Sequence, residues 1–168
     1  MCKKWFTYIC MFLGFGMACA WSADVKDKAD YIVIEKASRK MYLYQNDKII
    51  KSYDIHLGNN PVGPKQQEGD GKTPEGDYYI SGRNPNSKFH LSLRISYPNA
   101  EDIAQAQKRK VSTGGDIMIH GTPNKLPSWL ARWTLRKDWT AGCIAVTNDE
   151  IEEIWQLVDN GTKITIKP

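Results

Sequence analysis

The chain has 168 residues and a formal net charge of +4 at pH 7, with 41% of its residues hydrophobic and 25% charged. These values are typical of one ordinary soluble globular domain that is long enough to bury a core. A charge this small gives no argument for a nucleic-acid partner or for strong adhesion to a membrane.

The first twenty residues differ from the rest of the chain. Lys3 and Lys4 precede an uncharged apolar run that ends in Ala18-Cys19-Ala20. A basic start, a short apolar stretch and a small-x-small ending are typical of a secretory signal peptide, although a retained anchor and lipidation at Cys19 stay open. We therefore predict a periplasmic protein with these parts: a signal peptide over 1–20, a short polar segment over 21–29 and a single domain over 30–168.

Removing the signal peptide would change the charge and the cysteine count. Two lysines would leave without an acid, so the charge would fall from +4 to 4 − 2 = +2. Three of the four cysteines would also leave, and Cys143 would stay as the only thiol. A single thiol cannot close an internal disulfide, so Cys143 is either an idle buried residue or is kept for chemistry.

Most of the remaining patterns predict strands. Alternating and β-branched runs bounded by turn residues favour strands over residues 31–35, 40–45, 48–57, 77–80, 89–97 and 162–167. Asn46-Asp47 is predicted to join the second and third strands as a hairpin. The sequence therefore predicts a mostly β fold with a minor α+β contribution.

Two helices are predicted between these strands. Asn99 is the expected cap of a short surface helix over 99–108, with one side formed by Ala100, Ile103, Ala104 and Gln107. Thr147 and Glu150 form a capping box before a second helix, whose core face is Ile151, Ile154, Trp155 and Val158 and whose end is Asn160-Gly161. Its acids, Glu152 and Glu153, are expected to face solvent.

A long loop over 58–76 contains Gly71-Lys72-Thr73, which raises the possibility of a phosphate-binding loop. That interpretation fails, because Gln66 occupies the position of the first required glycine and Pro74 leads into a strand rather than a helix. A turn that precedes a strand is the better interpretation.

Two residues carry the chemistry that the sequence indicates. Asp116 to His120 alternates like a strand, and His120 ends it where Gly121 turns the chain. Cys143 follows Gly142 and begins a short apolar strand. A thiol is a weak nucleophile until a nearby imidazole takes its proton, and a glycine before it was expected to leave amides free for an oxyanion. We therefore interpret His120 and Cys143 as a base and a nucleophile.

Further candidates line the predicted strand 89–97 and the loop between the two key residues. His90 and Arg94 lie on the polar face of that strand, where they could hold a peptide carboxylate, although a polar face is often simply solvated. The loop 122–139 carries aromatic and cationic residues typical of a lid over a site, namely Trp129, Arg132, Trp133, Arg136, Lys137 and Trp139. Tryptophans that pack inward are the alternative.

Three stretches together resemble a known family. They are His120-Gly121-Thr122-Pro123, Thr140-Ala141-Gly142-Cys143-Ile144 followed by a capped helix, and Lys72-Thr73-Pro74-Glu75-Gly76 upstream. This order is similar to the L,D-transpeptidase catalytic domain family (YkuD type) of bacterial cell-wall enzymes, and the resemblance runs from about residue 31 to 167. It implies a single mostly β sandwich or barrel domain, a monomer, and peptidoglycan stem peptides as the partner, with no metal and no cofactor.

The resemblance also implies roles for individual residues. Cys143 would be the nucleophile and His120 the base, with Gly142 and Thr140 supporting the nucleophile and the oxyanion. Many members have histidine or arginine where this chain has Ala141, and arginine or asparagine where it has Ala145. Other residues are therefore predicted to orient the substrate, and the candidates are His90, Arg94, Gly121 and Trp139. Asp116 lies too far along its strand to hold the imidazole, so a backbone carbonyl is expected instead.

Alternatives stay open at this stage. An amine acceptor, on a stem peptide or on a protein, would make the protein a transpeptidase that contributes to cell-wall organisation and cell shape, whereas water would make it an L,D-carboxypeptidase or endopeptidase. A non-catalytic peptidoglycan-binding domain would need no reactive thiol. A metal hydrolase would draw its ligands from His56, His90, His120 and Cys143, which lack the close spacing of zinc ligands.

Overall fold

The computed structural model describes residues 28–127, 130 and 137–168. In chain order its elements are β1 (Tyr31–Glu35), β2 (Lys40–Gln45), β3 (Lys48–Asp54), β4 (Gly76–Ser87), β5 (His90–Ile95), α1 (Ala100–Arg109), β6 (Met118–His120), β7 (Ile144–Ala145), α2 (Asn148–Leu157) and β8 (Lys163–Lys167). The predicted mostly β fold is confirmed. The predicted signal peptide, and the lid residues Trp129, Arg132, Trp133 and Arg136, lie outside the described residues.

The described strands form one sheet in the order β3-β2-β1-β8-β4-β5-β6-β7. The first and last of them in the sequence, β1 and β8, pair in parallel near its middle. The predicted hairpin between β2 and β3 is confirmed, and its two turn residues, Asn46 and Asp47, have φ values of 48° and 62°. Two consecutive positive φ values match the right-handed twist of the strands that such a turn joins.

The two ends of this sheet meet beside Cys143. The third strand ends at Asp54, three residues before the predicted end at Leu57. Beyond Asp54 the chain no longer pairs with β2. Instead, His56 pairs with Ala145 of β7: the His56 N–H donates to the Ala145 carbonyl oxygen over 2.9 Å, and the Ala145 N–H donates to the His56 carbonyl oxygen over 2.8 Å. The backbone groups of this segment are thus satisfied by the opposite edge strand. This exchange brings the segment from Ile55 to Gly58 against the cysteine.

The hairpin of β4 and β5 is longer than the sequence predicts. β4 continues to Ser87 rather than ending at Ile80, with register shifts along its pairing with β5. Polar residues after Ile80 hide the alternation, but backbone hydrogen bonding to β5 does not need apolar side chains. β5 lies inside the predicted strand 89–97.

Each helix begins at its predicted cap. Asn99 forms a capping box with Asp102 at the start of α1, and Thr147 forms one with Glu150 at the start of α2. The predicted side of α1 is wrong, because Ile103 is 42% exposed and Ala106 is buried. The Tyr78 hydroxyl donates to Asp102 over 2.9 Å, which turns the side of α1 that carries Asp102 and Ala106 toward the sheet.

The second helix completes the core. Ile151, Ile154 and Val158 are fully buried, as predicted, and they join one cluster with the inner face of the sheet. The helix ends at Leu157, three residues before the predicted Asn160-Gly161, because Val158 is extended. Within the described part of the chain, no helix combines the length and apolar character needed to cross a membrane.

Candidate active site

Two neighbouring strands bring the two key side chains to one face of the sheet. β6 pairs in parallel with β7, so that Ile119 lies opposite Ile144 and His120 lies opposite Ala145. Side chains alternate along a strand, so Cys143, two residues before Ala145, belongs to the same face as His120. Ile119 and Ile144 occupy the other face and are fully buried in the core.

The imidazole of His120 is held in one tautomer. Its Nδ1 lies 2.7 Å from the carbonyl oxygen of Gly121, and the side chain is buried, with 3% of the residue exposed. A carbonyl can only accept, so Nδ1 carries the proton and Nε2 presents a lone pair. The expected backbone carbonyl partner is therefore confirmed.

Aromatic rings enclose the same imidazole. The ring of Phe89 lies 4.5 Å from it and the ring of Trp139 lies 5.7 Å from it, measured between centroids. Burial lowers the pKa of His120 below its ordinary value of 6.5, and the bond to Gly121 opposes this only in part. The imidazole is consequently neutral at pH 7 and able to accept a proton.

The thiol of Cys143 is also kept in its neutral form. It donates to the carbonyl oxygen of Asp116 over 3.4 Å. Burial raises the pKa of Cys143, the Asp116 carboxylate raises it further, and the Met118 amide and the Lys65 ammonium group act in the opposite direction. A protonated thiol needs a base to become a nucleophile, and His120 is a neutral base on the same face.

Thr140 organises the turn that carries the cysteine. Its hydroxyl donates to the Cys143 carbonyl oxygen over 2.7 Å and accepts the Gly142 N–H over 3.1 Å. The expectation that the Gly142 amide is free for an oxyanion is therefore wrong. The sequence shows a glycine that permits a sharp turn, but not that the neighbouring threonine takes its amide.

Gly142 is required here by conformation and by space. Its φ is +134°, and a Cβ at this position would lie 2.7 Å from the Lys72 carbonyl oxygen. The loop 58–76 thus packs directly against the cysteine turn through the Lys72 backbone. This contact gives the upstream stretch, which was interpreted as a turn before a strand, a structural link to the site.

Two buried lysines hold that loop, and sequence reasoning missed both. Lys36 donates to Gly63 O over 2.7 Å, to Thr73 O over 3.0 Å and to Glu75 Oε1 over 2.7 Å. Lys65 donates to Asp70 over 2.8 Å. A lysine in a polar stretch is normally solvated, so only the folded structure reveals these roles.

The four residues predicted to orient the substrate have different surroundings. His90 Nε2 lies 2.7 Å from Glu152 of α2, and Arg94 forms an ion pair with Asp116 beside the thiol. Trp139 contacts the His120 ring. Gly121 is buried, and a Cβ there would lie 2.5 Å from Asn148 Oδ1, so its position is fixed by packing.

The acids of α2 lie near the site. Glu152 faces solvent as predicted, with a side chain that is 56% exposed, and it also pairs with His90. The side chain of Glu153 is only 32% exposed, because it pairs with Lys51 over 2.5 Å and accepts from the Tyr53 hydroxyl over 2.8 Å. Among residues 28–127, 130 and 137–168, no three His, Cys, Asp or Glu side chains are grouped as metal ligands.

Ser92 gives a stability prediction. It lies opposite His120 on β5, is 1% exposed, and its hydroxyl has no hydrogen-bond partner among the described residues. Ser92→Ala should therefore raise the free energy of unfolding by about 1 kcal/mol, since it removes an unpaired buried polar group. Urea unfolding of both proteins measures this.

The matched control for this change is Ser87→Ala. The Ser87 hydroxyl is also buried but accepts the Phe89 N–H over 3.0 Å, so its loss should destabilise the protein. Destabilisation by Ser92→Ala as well would contradict the view that its hydroxyl is unpaired.

The sequence of this chain is similar to those of known proteins. The model of the L,D-transpeptidase catalytic domain family (YkuD) matches residues 29–166. YafK of Escherichia coli is 33% identical over 134 residues, which cover 76% of this chain and 46% of YafK. YkuD of Bacillus licheniformis is 27% identical over 142 residues, which cover 82% of this chain and 65% of that protein. Both relatives carry a provisional assignment as L,D-transpeptidases.

Solved structures show the same fold. The helical cell shape determining protein Pgp2 of Campylobacter jejuni aligns with a TM-score of 0.62 and 25% identity, over 84% of this chain and 48% of Pgp2. The L,D-transpeptidase of Mycobacterium smegmatis aligns with a TM-score of 0.54 and 12% identity, over 83% of this chain and 59% of that chain, and supports the fold alone. This chain spans about half the length of YafK and Pgp2. Because the family model matches most of its residues, the chain belongs to the L,D-transpeptidase catalytic domain family of the YkuD type.

Proposed function

We propose that this protein is an exported, periplasmic L,D-transpeptidase that acts on peptidoglycan stem peptides through a cysteine acyl-enzyme. The observation that carries the proposal is the bond from His120 Nδ1–H to the Gly121 carbonyl oxygen, because it leaves Nε2 as a base on the face that carries Cys143. Family membership supports the substrate class.

The reaction we propose has two halves. In the first, His120 takes the thiol proton as Cys143 Sγ attacks the carbonyl carbon between the L-centre and the terminal D-residue of a tetrapeptide stem. The tetrahedral oxyanion collapses to a thioester, and the C–N bond breaks as His120 returns the proton to the departing amine. In the second, an amine attacks the thioester and gives its proton to His120. The C–S bond then breaks and His120 returns that proton to Cys143 Sγ, which leaves an amide and a free thiol.

The oxyanion donor follows from the hydrogen bonds of the cysteine turn. The Gly142 N–H already donates to the Thr140 hydroxyl, so we assign the Cys143 N–H as the donor. Thr140 then acts by fixing the turn rather than by touching the substrate. The likeness to Pgp2, a helical cell shape determining protein, supports a role for this chemistry in cell shape.

Intact-mass spectrometry tests the proposal. Wild-type protein and Cys143→Ala are incubated with a carbapenem and, separately, with a disaccharide-tetrapeptide. We expect an adduct on the wild type alone, together with loss of the terminal D-residue from the muropeptide and a new amide in the product.

Other outcomes would assign the protein differently. A shortened muropeptide without a new amide would indicate water as the acceptor, and the protein would then be an L,D-carboxypeptidase or endopeptidase. An absent adduct and an unchanged muropeptide would contradict the cysteine mechanism and favour a non-catalytic binding domain.

A further inference from the structure

Arg94 lies in the same row of side chains as the thiol. β5 and β6 pair so that Arg94 lies opposite Met118, and the register of β6 with β7 places Cys143 on the other side of Met118. Neighbouring strands are about 4.8 Å apart, so the Arg94 and Cys143 backbones lie about 10 Å from one another on one face. An arginine side chain spans most of that distance.

The present partner of Arg94 is the residue that contacts the thiol. The Arg94 guanidinium forms an ion pair with the carboxylate of Asp116, whose carbonyl oxygen accepts the Cys143 thiol. The Arg94 and Asp116 side chains are 55% and 73% exposed. An ion pair this exposed contributes little free energy, so another carboxylate can replace Asp116 at small cost.

The other described cations considered near the cysteine already bind neighbouring groups. Lys65 has a side chain that is 3% exposed and is bound to Asp70, and Lys72 donates to the Val62 carbonyl oxygen. His90 lies four residues before Arg94 on β5, outside the row of the thiol, and pairs with Glu152 of α2. Among the described residues, Arg94 is thus a cation near the thiol whose exposed carboxylate partner can be replaced without disrupting the core.

We propose that Arg94 binds a carboxylate of the stem peptide next to the reacting carbonyl, and that Asp116 occupies this place in the free protein. Arginine suits this role because its planar fork matches a carboxylate in two parallel hydrogen bonds. This inference rests on the proposed function.

The test measures binding without turnover. Tetrapeptide binding to Cys143→Ala is followed by calorimetry, and the second change is made in that background. Arg94→Gln should weaken binding about tenfold, because a charge-assisted pair is lost. Asp116→Asn should strengthen it about twofold to fivefold, because the competing exposed carboxylate is removed. Arg109→Gln on α1 removes the same charge elsewhere and should change nothing.

Two amidated peptides identify which carboxylate binds. One carries an amide at the terminal D-residue. The other carries it at the side-chain carboxylate of the residue that bears the reacting carbonyl, and the effect of Arg94→Gln should disappear with one of the two peptides. An equal effect of Arg94→Gln on all three peptides, or none on any, would overturn the proposal. Since no thioester forms in these proteins, failure of the cysteine mechanism would leave the binding result interpretable.

Discussion

Replacing His120 with glutamine should slow the acylation of Cys143 by about a hundredfold to ten-thousandfold at pH 7, the usual contribution of a general base. The reason is that burial raises the pKa of Cys143, so almost no thiolate exists at this pH without a base. Glutamine fills similar space but cannot take the proton. The rate of carbapenem adduct formation, followed by intact mass, measures the effect.

The pH dependence of wild-type acylation follows from the lowered pKa of His120. The pKa of His120 is lowered below 6.5 by burial, so the imidazole stays neutral until the pH falls beneath that value. Acylation should therefore decline only on the acid side of pH 6.5. Stability declines in the same direction, because the unfolded chain takes up the proton before the folded one does.

A second condition separates loss of the base from loss of the fold. Above the pKa of the thiol, hydroxide removes the proton and the base is no longer needed, so the deficit of His120→Gln should shrink as the pH rises. Thermal unfolding of the variant shows whether the packing against Phe89 and Trp139 survives. Wild-type acylation rates at pH 7 in a variant that remains folded would exclude His120 as the base.

The positions of His120 and Cys143 could be predicted because each lies at the end of a short apolar strand. Strand periodicity and turn residues are local signals, so they survive in the sequence. The partner of His120 was also predictable, since an extended stretch from Asp116 to His120 would place the Asp116 carboxylate out of reach of the imidazole. The tautomer, and hence the lone pair on Nε2, needed only that carbonyl contact.

What the sequence could not show depends on which groups the fold brings into contact, both near and far along the chain. The Gly142 amide is taken by Thr140, the Lys72 carbonyl closes on Gly142, and α1 turns Ala106 rather than Ile103 to the sheet. None of these has a periodic or compositional signal. A charged residue that becomes buried, such as Lys36, even reverses the expectation from composition.

Lys36 gives the second large effect. Lys36→Met should lower the free energy of unfolding by about 3 to 5 kcal/mol, because it leaves the buried partners of an ion pair without their cation. The Lys36 side chain is 3% exposed and that of Glu75 is 17% exposed, so water cannot replace the lost bonds freely. Burial lowers the pKa of Lys36 while Glu75 opposes that shift, as expected for a desolvated lysine with a partner. Urea unfolding measures the loss.

Two further variants show that the pair, and not the mutation of a lysine as such, causes this loss. Lys40→Met breaks the exposed ion pair between Lys40 of β2 and Asp54 of β3, and it should leave the free energy of unfolding nearly unchanged. Lys36→Met combined with Glu75→Gln should recover part of the loss, because no unpaired carboxylate stays buried. A single variant Lys36→Met as stable as the wild type would contradict the role of Lys36 as the anchor of the loop 58–76.

Lys36→Met should also slow the reaction of Cys143, because Lys36 holds the loop that packs on the cysteine turn. Lys36 binds the Thr73 carbonyl oxygen, the Thr73 hydroxyl accepts the Gly58 N–H over 3.1 Å, and the adjacent Lys72 carbonyl packs on Gly142. Loosening this chain of contacts removes the support that holds Gly142 at a φ of +134°. Acylation of folded Lys36→Met should consequently be slower than that of folded Lys40→Met, even at a temperature where both are fully native.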